Sequence, residues 1–209
     1  MQMKQVPVIV MLKNKKIEAL GILKEEVLSL KRSPLYQFRQ ANKYQPVIGE
    51  GSVMAKIMFV GEAPGKKEAE TGRPFCGRAG KVLDDLLSDV GLKREKVYIT
   101  NIVNDRPPEN RDPTPEEIEI YGPFLGRQIE IVQPKIIVTL GRFPMSYVMN
   151  LFGLRDEMQS ISVLHGKIFE TGSSYGKIRI IPLYHPAAAI YNQKLKETLK
   201  KDFETLRSL

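Results

Sequence analysis

Residues 56–65 read KIMFVGEAPG: a short, almost uniformly apolar run, Lys56 to Val60, ends directly in Gly61-Glu62-Ala63-Pro64-Gly65. A strand with one wet face alternates apolar and polar residues, whereas a strand of a parallel sheet is covered on both faces and reads as a continuous apolar run. The run therefore predicts a central parallel strand. A glycine-containing turn just past such a strand is where backbone amides are commonly presented to a ligand.

Three further runs have the same character: Val97 to Val103, Lys135 to Leu140 and Ile178 to Leu183. Helical patterns separate them. From Gly77 to Val90 the residues Ala79, Val82, Leu83, Leu86, Leu87 and Val90 recur at helical spacing, and Gly91 supplies a stop. Asp112-Pro113-Thr114-Pro115-Glu116-Glu117 opens another helix, with Thr114 as N-cap and Pro115 in the first turn, and Pro123 is expected to kink or interrupt it. Helices are also expected over Ile17 to Leu30, Pro144 to Leu151 and, with a basic face, Gln193 to Leu206. The alternation predicts an α/β fold, a three-layer α/β/α sandwich around a central four-stranded, mainly parallel sheet, with ligands beyond the carboxyl ends of the strands. Residues 16–209 are expected to form a single domain, with residues 1–15 an appended strand or loose extension.

Composition narrows the partners. Lys plus Arg number 32 against 24 Asp plus Glu, a net charge of +8, which favours a polyanion. Nine of the Lys and Arg and four of the Glu fall in residues 1–50, a basic region able to track phosphates or simply to form a solvated helix face. A single cysteine, Cys76, excludes an internal disulfide, and two histidines, His165 and His185, are too few soft ligands for a zinc site. Val6 to Leu12 is too short to span a bilayer and lacks signal-peptide flanks, so no membrane association is expected and the protein is placed in the cytoplasm, as a monomer. A phosphate loop is refused by spacing, because only three residues separate Gly61 from Gly65 and Lys67 follows Lys66 where Ser or Thr is required.

Four segments lie just past predicted strands or beside them: Gly61 to Gly65, Arg73-Pro74-Phe75, Thr100-Asn101 and Tyr184-His185-Pro186-Ala187. Together they offer what a pocket for one extruded pyrimidine needs. Backbone amides come from the glycine turn, and Phe75 offers an aromatic face on which a base can stack. Asn101 carries an amide whose acceptor and donors match N3–H and O4 of uracil and mismatch cytosine. His185, if neutral, offers an N–H to negative charge developing on a departing base. Either Glu62 or Glu68 could orient water or stabilise a sugar cation. Each residue alone has an ordinary structural explanation: core packing for Phe75, a turn for Asn101, the surface for the glutamates. Their convergence at one end of one sheet favours a site.

At these residues the chain resembles the uracil-DNA glycosylase superfamily, specifically its family-4 enzymes. The resemblance runs from about Ser33 to Leu206 and is carried by GEAPGKKEAETGRPFCGRAG (residues 61–80), VYITNIVNDRPPENR (97–111), residues 134–141 and PLYHPAA (182–188). It implies a monofunctional enzyme that flips uracil out of DNA and hydrolyses its N-glycosidic bond in base excision repair, releasing uracil. The alternative is a non-catalytic DNA-binding relative. The resemblance assigns catalysis to Glu62 and His185, with Ala63 standing where another branch carries an aspartate. It assigns uracil binding to Gly61, Ala63, Pro64, Gly65, Glu68, Phe75, Asn101 and Asn110, with Glu68 placed to exclude a 5-methyl group. DNA contact falls to Arg142, Ile190 and Tyr191, the last two because Ala189 is small where a wedging residue is usual. Family-4 enzymes hold a four-iron, four-sulfur cluster on four cysteines. The corresponding positions are Leu30, Ser33, Asp105 and Tyr121, so no metal and no cluster are expected, with packing or hydrogen bonds in place of the crosslink.

Overall fold

The structure, a computed structural model, describes residues 7–208. Helices α1 (Val8–Leu28) and α2 (Tyr36–Ala41) lead to strands β1 (Glu50–Gly51) and β2 (Ile57–Gly61), then α3 (Lys66–Thr71) and α4 (Arg78–Asp89). The remainder is β3 (Tyr98–Asn101), α5 (Pro115–Val132), β4 (Ile136–Leu140), α6 (Arg142–Leu151), α7 (Ile161–Leu164), β5 (Phe169–Ser173), β6 (Gly176–Leu183) and α8 (Gln193–Glu204). The sheet has six strands in the order β1-β3-β2-β4-β6-β5.

The four runs seen in the sequence are the parallel centre of this sheet, β3-β2-β4-β6. The expected count of four is corrected to six by two antiparallel edge strands. Neither carries an apolar run: β1 is two residues long and β5 reads FETGS with partly exposed side chains, as an edge strand facing water does.

Alternation within β2 covers both faces of the sheet. Ile57 and Phe59 pack with Leu83, Leu86 and Leu87 of α4 and with Leu199 and Phe203 of α8. Met58 and Val60 pack on the other side with Leu125 and Ile129 of α5 and with Met145, Val148 and Met149 of α6. Each such fully buried side chain contributes roughly 1.5–3 kcal/mol, which is why the central strands tolerate so little polarity. The product is the expected α/β/α layering.

Two helical expectations are corrected. Residues 8–15, expected as a strand or loose extension, are the first part of α1, so the division at residue 15 falls within one helix; residues 1–6 lie outside the described residues. No glycine or proline interrupts the run after Pro7 until Gly21, and Lys, Leu, Met, Glu and Ala favour helix over strand. Helix α5 continues through Pro123. Pro123 and Glu119 both face solvent, so the carbonyl that loses its partner is open to water. The capping of α5 is as expected: Thr114 accepts from the Glu117 N–H at 3.2 Å, and the Glu117 carboxylate accepts from the Thr114 N–H at 2.8 Å.

Helix α1 lies on α5, with Leu23 and Val27 against Tyr121 and Phe124. Lys16 donates to the Val132 carbonyl at 2.9 Å, placing a cation on the carbonyl end of α5. Among the described residues no helix is long and apolar enough to cross a membrane.

Candidate active site

Parallel register sets Gly61 opposite Asn101 at the carboxyl ends of β2 and β3. The chain beyond β3 stays beside the turn after β2, with Ile102 N–H donating to the Gly61 carbonyl and Val103 N–H to that of Glu62, both at 3.0 Å. Strand β6 ends two positions before His185. These strand ends frame a cavity of about 360 Å³ lined by Glu62, Ala63, Pro64, Gly65, Glu68, Phe75, Asn101, Asn110 and His185. That volume is at the lower end of the range for small-molecule sites.

Gly61 does not line this cavity but makes its floor possible. A Cβ there would stand 2.4 Å from Asn101 Oδ1 and 2.6 Å from the Phe75 ring. Only glycine lets the amide and the ring close over the end of β2. Phe75 itself has φ +46°, the left-handed region that costs a bulky residue energy. Its turn is held from several sides. Glu68 accepts from the backbone N–H groups of Cys76 at 2.9 Å and Gly77 at 2.6 Å. Arg94 donates to the Pro74 carbonyl at 2.6 Å, and Arg73 pairs with Glu50. The Phe75 carbonyl lies where a Cβ on residue 80 would stand, 1.9 Å away, so Gly80 is required. Phe75 is thus both a cavity wall and a member of the hydrophobic core beneath it. Glu68, expected as a substrate contact, spends one oxygen on this turn.

Asn101 is 2% exposed, and its side-chain amide has no hydrogen-bond partner among the described residues although it lines the cavity. The amide atoms are open to the cavity and free to bond a ligand there. Thr100, its neighbour in sequence, points to the opposite side, bonding the Ile48 carbonyl and Gln128, and does not reach the cavity.

The His185 Nδ1 accepts from the Ala187 N–H at 3.1 Å. This leaves the neutral ring its proton on Nε2, and burial, partly opposed by Glu68, lowers the pKa to about 4, so the ring is uncharged at neutral pH. The ring lies 5.7 Å from that of Phe75, tilted by 31°. Glu62 shows the opposite shift. Burial first, and the negative charge of Asp112 second, raise its carboxyl to about 7, with Arg142 pulling the other way. Arg142 is paired with Asp112 on the surface and is not a wall of the cavity.

Asn110 stands at the mouth. It and Glu109 have φ of +54° and +55°, and Asn110 Oδ1 accepts from Arg106 Nε at 2.8 Å. Beyond His185, Ala189 is buried, Ile190 is half-buried, and Tyr191 projects 82% exposed with its hydroxyl 2.6 Å from Arg78. Ile190 and Tyr191 line an open groove with Arg78, Lys81 and Lys196 that adjoins the cavity through Arg78. Ala187, within a segment the sequence singled out, also lines the cavity, as do Gly77, Arg78, Ala79, Pro107 and Arg111, which sequence reasoning missed. Arg78 and Arg111 stand within the family-like stretches, so their position was visible although their aim was not.

The positions aligned with cluster ligands converge in space but do not fit an iron–sulfur cluster. They supply no thiolate, and Ser33, Asp105 and Tyr121 are hydrogen-bonded to one another. Among the described residues no group of three or more His, Cys, Asp or Glu could hold a metal ion.

A family model described as the uracil DNA glycosylase superfamily matches residues 48–207. The chain is 46% identical over 194 residues to a type-4 uracil-DNA glycosylase of Sulfurisphaera tokodaii, covering 92% of this chain and 86% of that one. It is 44% identical to one of Archaeoglobus fulgidus, covering 92% and 94%, and 39% identical to one of Thermotoga maritima, covering 91% and 94%.

Proposed function

This chain belongs to the uracil DNA glycosylase superfamily, and we propose that its cavity receives a uracil flipped out of DNA and cleaves the bond joining it to deoxyribose. The observation that carries this is the shared cavity wall of Asn101, Phe75 and His185, an unpaired amide, an aromatic face and a neutral imidazole. The base stacks on Phe75, and Asn101 accepts from N3–H and donates to O4. As the glycosidic bond breaks, the electron pair goes to the base, and Nε2–H of His185 donates to O2 where that charge collects. A neutral imidazole does this without first giving up its own proton.

Water then attacks C1′ of the cationic sugar. Glu62 takes a proton of this water, leaving an abasic site and the uracil anion, which takes up a proton from solvent on release. A carboxyl held near pH 7 suits that work, since it is ionised enough to act and basic enough to accept. No lysine nucleophile is needed, so the enzyme is monofunctional and leaves the strand intact. We infer that it works without an iron–sulfur cluster, as a cytoplasmic monomer. DNA lies along Arg78, Lys81 and Lys196, with Ile190 and Tyr191 filling the space vacated by the base.

Strand cleavage by alkali after incubation with uracil-containing oligonucleotides tests the proposal. Alkali-labile breaks at uracil are the expected result. Intact strands from both single-stranded and mismatched substrates would leave the non-catalytic DNA-binding relative as the better account.

A further inference from the structure

Ser33, Arg39, Asp105 and Tyr121 form a buried polar network. Leu35 N–H donates to Ser33 Oγ at 3.0 Å, Ser33 and Tyr121 hydroxyls are 2.7 Å apart, and Tyr121 donates to Asp105 Oδ2 at 2.6 Å. Since the Tyr121 proton goes to Asp105, Ser33 is the donor to Tyr121. Arg39 Nη1 stands 3.2 Å from both Asp105 oxygens, and the same guanidinium caps α1 through the carbonyls of Val27, at 3.0 Å, and Leu28, at 2.6 Å. Arg39 is 2% exposed, Asp105 1% and Tyr121 0%. The network joins the end of α1, α2, the chain after β3 and α5.

Asp105 is also the last fixed point before the loop that carries Pro107, Asn110 and Arg111 to the cavity wall. That loop contains two successive left-handed residues, Glu109 and Asn110, and so does not hold its shape by local preference. At its far end Arg111 pairs with Glu117 through two bonds of 2.9 and 2.6 Å. At its near end Arg106 reaches Asn110 and the Tyr44 hydroxyl, at 2.8 Å each, from a backbone that Asp105 anchors.

We propose that the Ser33–Tyr121–Asp105–Arg39 network is the positioning device for the 106–111 loop, and that its members are positioning residues of the uracil site. This rests on the reading of the cavity as that site. Three of its members stand at positions aligned with cluster ligands, so hydrogen bonds and one buried ion pair fasten the segments that a metal crosslink would otherwise join. Burial raises the Tyr121 hydroxyl pKa, which keeps it a donor, and Asp105 has no water to replace the partners it would lose.

The test is Tyr121→Phe, which removes one hydroxyl, alongside Asp105→Asn, each followed by amide hydrogen exchange and by single-turnover excision. The expected result is faster exchange at the amides of Asn110 and Arg111 with β4 unchanged. Excision should slow by about tenfold or more while affinity for undamaged DNA is kept, because misplaced walls cost rate before they cost phosphate contacts. Should Asp105→Asn fail to fold, Tyr121→Phe alone carries the measurement. Exchange at 106–111 identical to wild type, with only the melting temperature lowered, would overturn the proposal. Exchange is independent of activity, so an inactive wild type would refute the uracil reading without deciding this one.

Discussion

His185 Nδ1 accepts a hydrogen bond from the Ala187 N–H two residues further along, at 3.1 Å, and so the neutral ring, which lines the cavity, carries its proton on Nε2. The 3₁₀ turn Pro186–Ala189 makes this bond possible, and Pro186 fixes where that turn begins. Replacement by alanine removes the only imidazole of the site. His185→Ala should slow single-turnover excision by roughly 10²-fold or more, with undamaged-DNA affinity unchanged. A rate within a few-fold of wild type would take His185 out of the reaction.

Glu62 and His185 both act deprotonated, so both place their loss of activity on the acid side of the pH profile, at different pH. The base limb follows Glu62, so kcat/KM of the wild type should fall about tenfold per unit below about pH 7, and Glu62→Gln should be slow and flat there. His185 at about 4 adds no loss until far more acid. Stability moves the other way at Glu62. Between its ordinary 4.5 and about 7 the folded chain holds a proton that the unfolded chain has released, so rising pH through that window costs stability. Glu62→Gln should therefore melt above wild type beyond pH 7 and lose the advantage towards pH 4. His185 has the opposite slope: its stability contribution is complete above 6.5 and falls as pH drops towards 4. Equal melting temperatures of Glu62→Gln and wild type at pH 8 would contradict the assigned burial of the carboxyl.

Asn101→Asp replaces the donor to O4 by an acceptor and sets a negative charge against the departing base. Uracil excision should be weakened. Single-turnover rates on uracil decide it; an undiminished rate means that the amide does not face the base.

Phe75 needs two variants because it serves wall and core at once. Phe75→Ala should lower the melting temperature as well as the rate, since truncating a buried Phe costs about 3–5 kcal/mol. Phe75→Leu keeps most of the volume but loses the stacking face, worth roughly 1–3 kcal/mol per base. Slowed excision in the leucine variant with near-native melting and DNA affinity is the expected outcome. Full activity there would reduce Phe75 to packing.

Binding to undamaged DNA should weaken steadily as salt rises, because Lys and Arg displace phosphate counterions. A titration that is flat from low to physiological salt would argue against a DNA partner. The purified protein should also be colourless and free of stoichiometric iron by metal analysis, as its single cysteine cannot hold a cluster.

The sequence by itself determined the central strands and the main helices, because apolar period and capping residues act over a few positions and need no distant partner. Asn101 and His185 were legible because each is a polar residue at or just past the end of a buried run, and Phe75 because a large ring stands in a Pro- and Gly-flanked turn. What the sequence left open depends on contacts far apart in the chain. Edge strands β1 and β5 have no apolar signature and exist only because a central strand offers unpaired backbone groups. Pairing of Ser33 with Tyr121, 88 residues away, follows from α1 and α5 crossing at one register. Phe75 takes a left-handed backbone only because Glu68, Gly61 and Gly80 meet around it. The protonation of Glu62 and His185 likewise belongs to the folded chain, since desolvation by residues from several elements, and not the side chains themselves, moves one carboxyl up and one imidazole down.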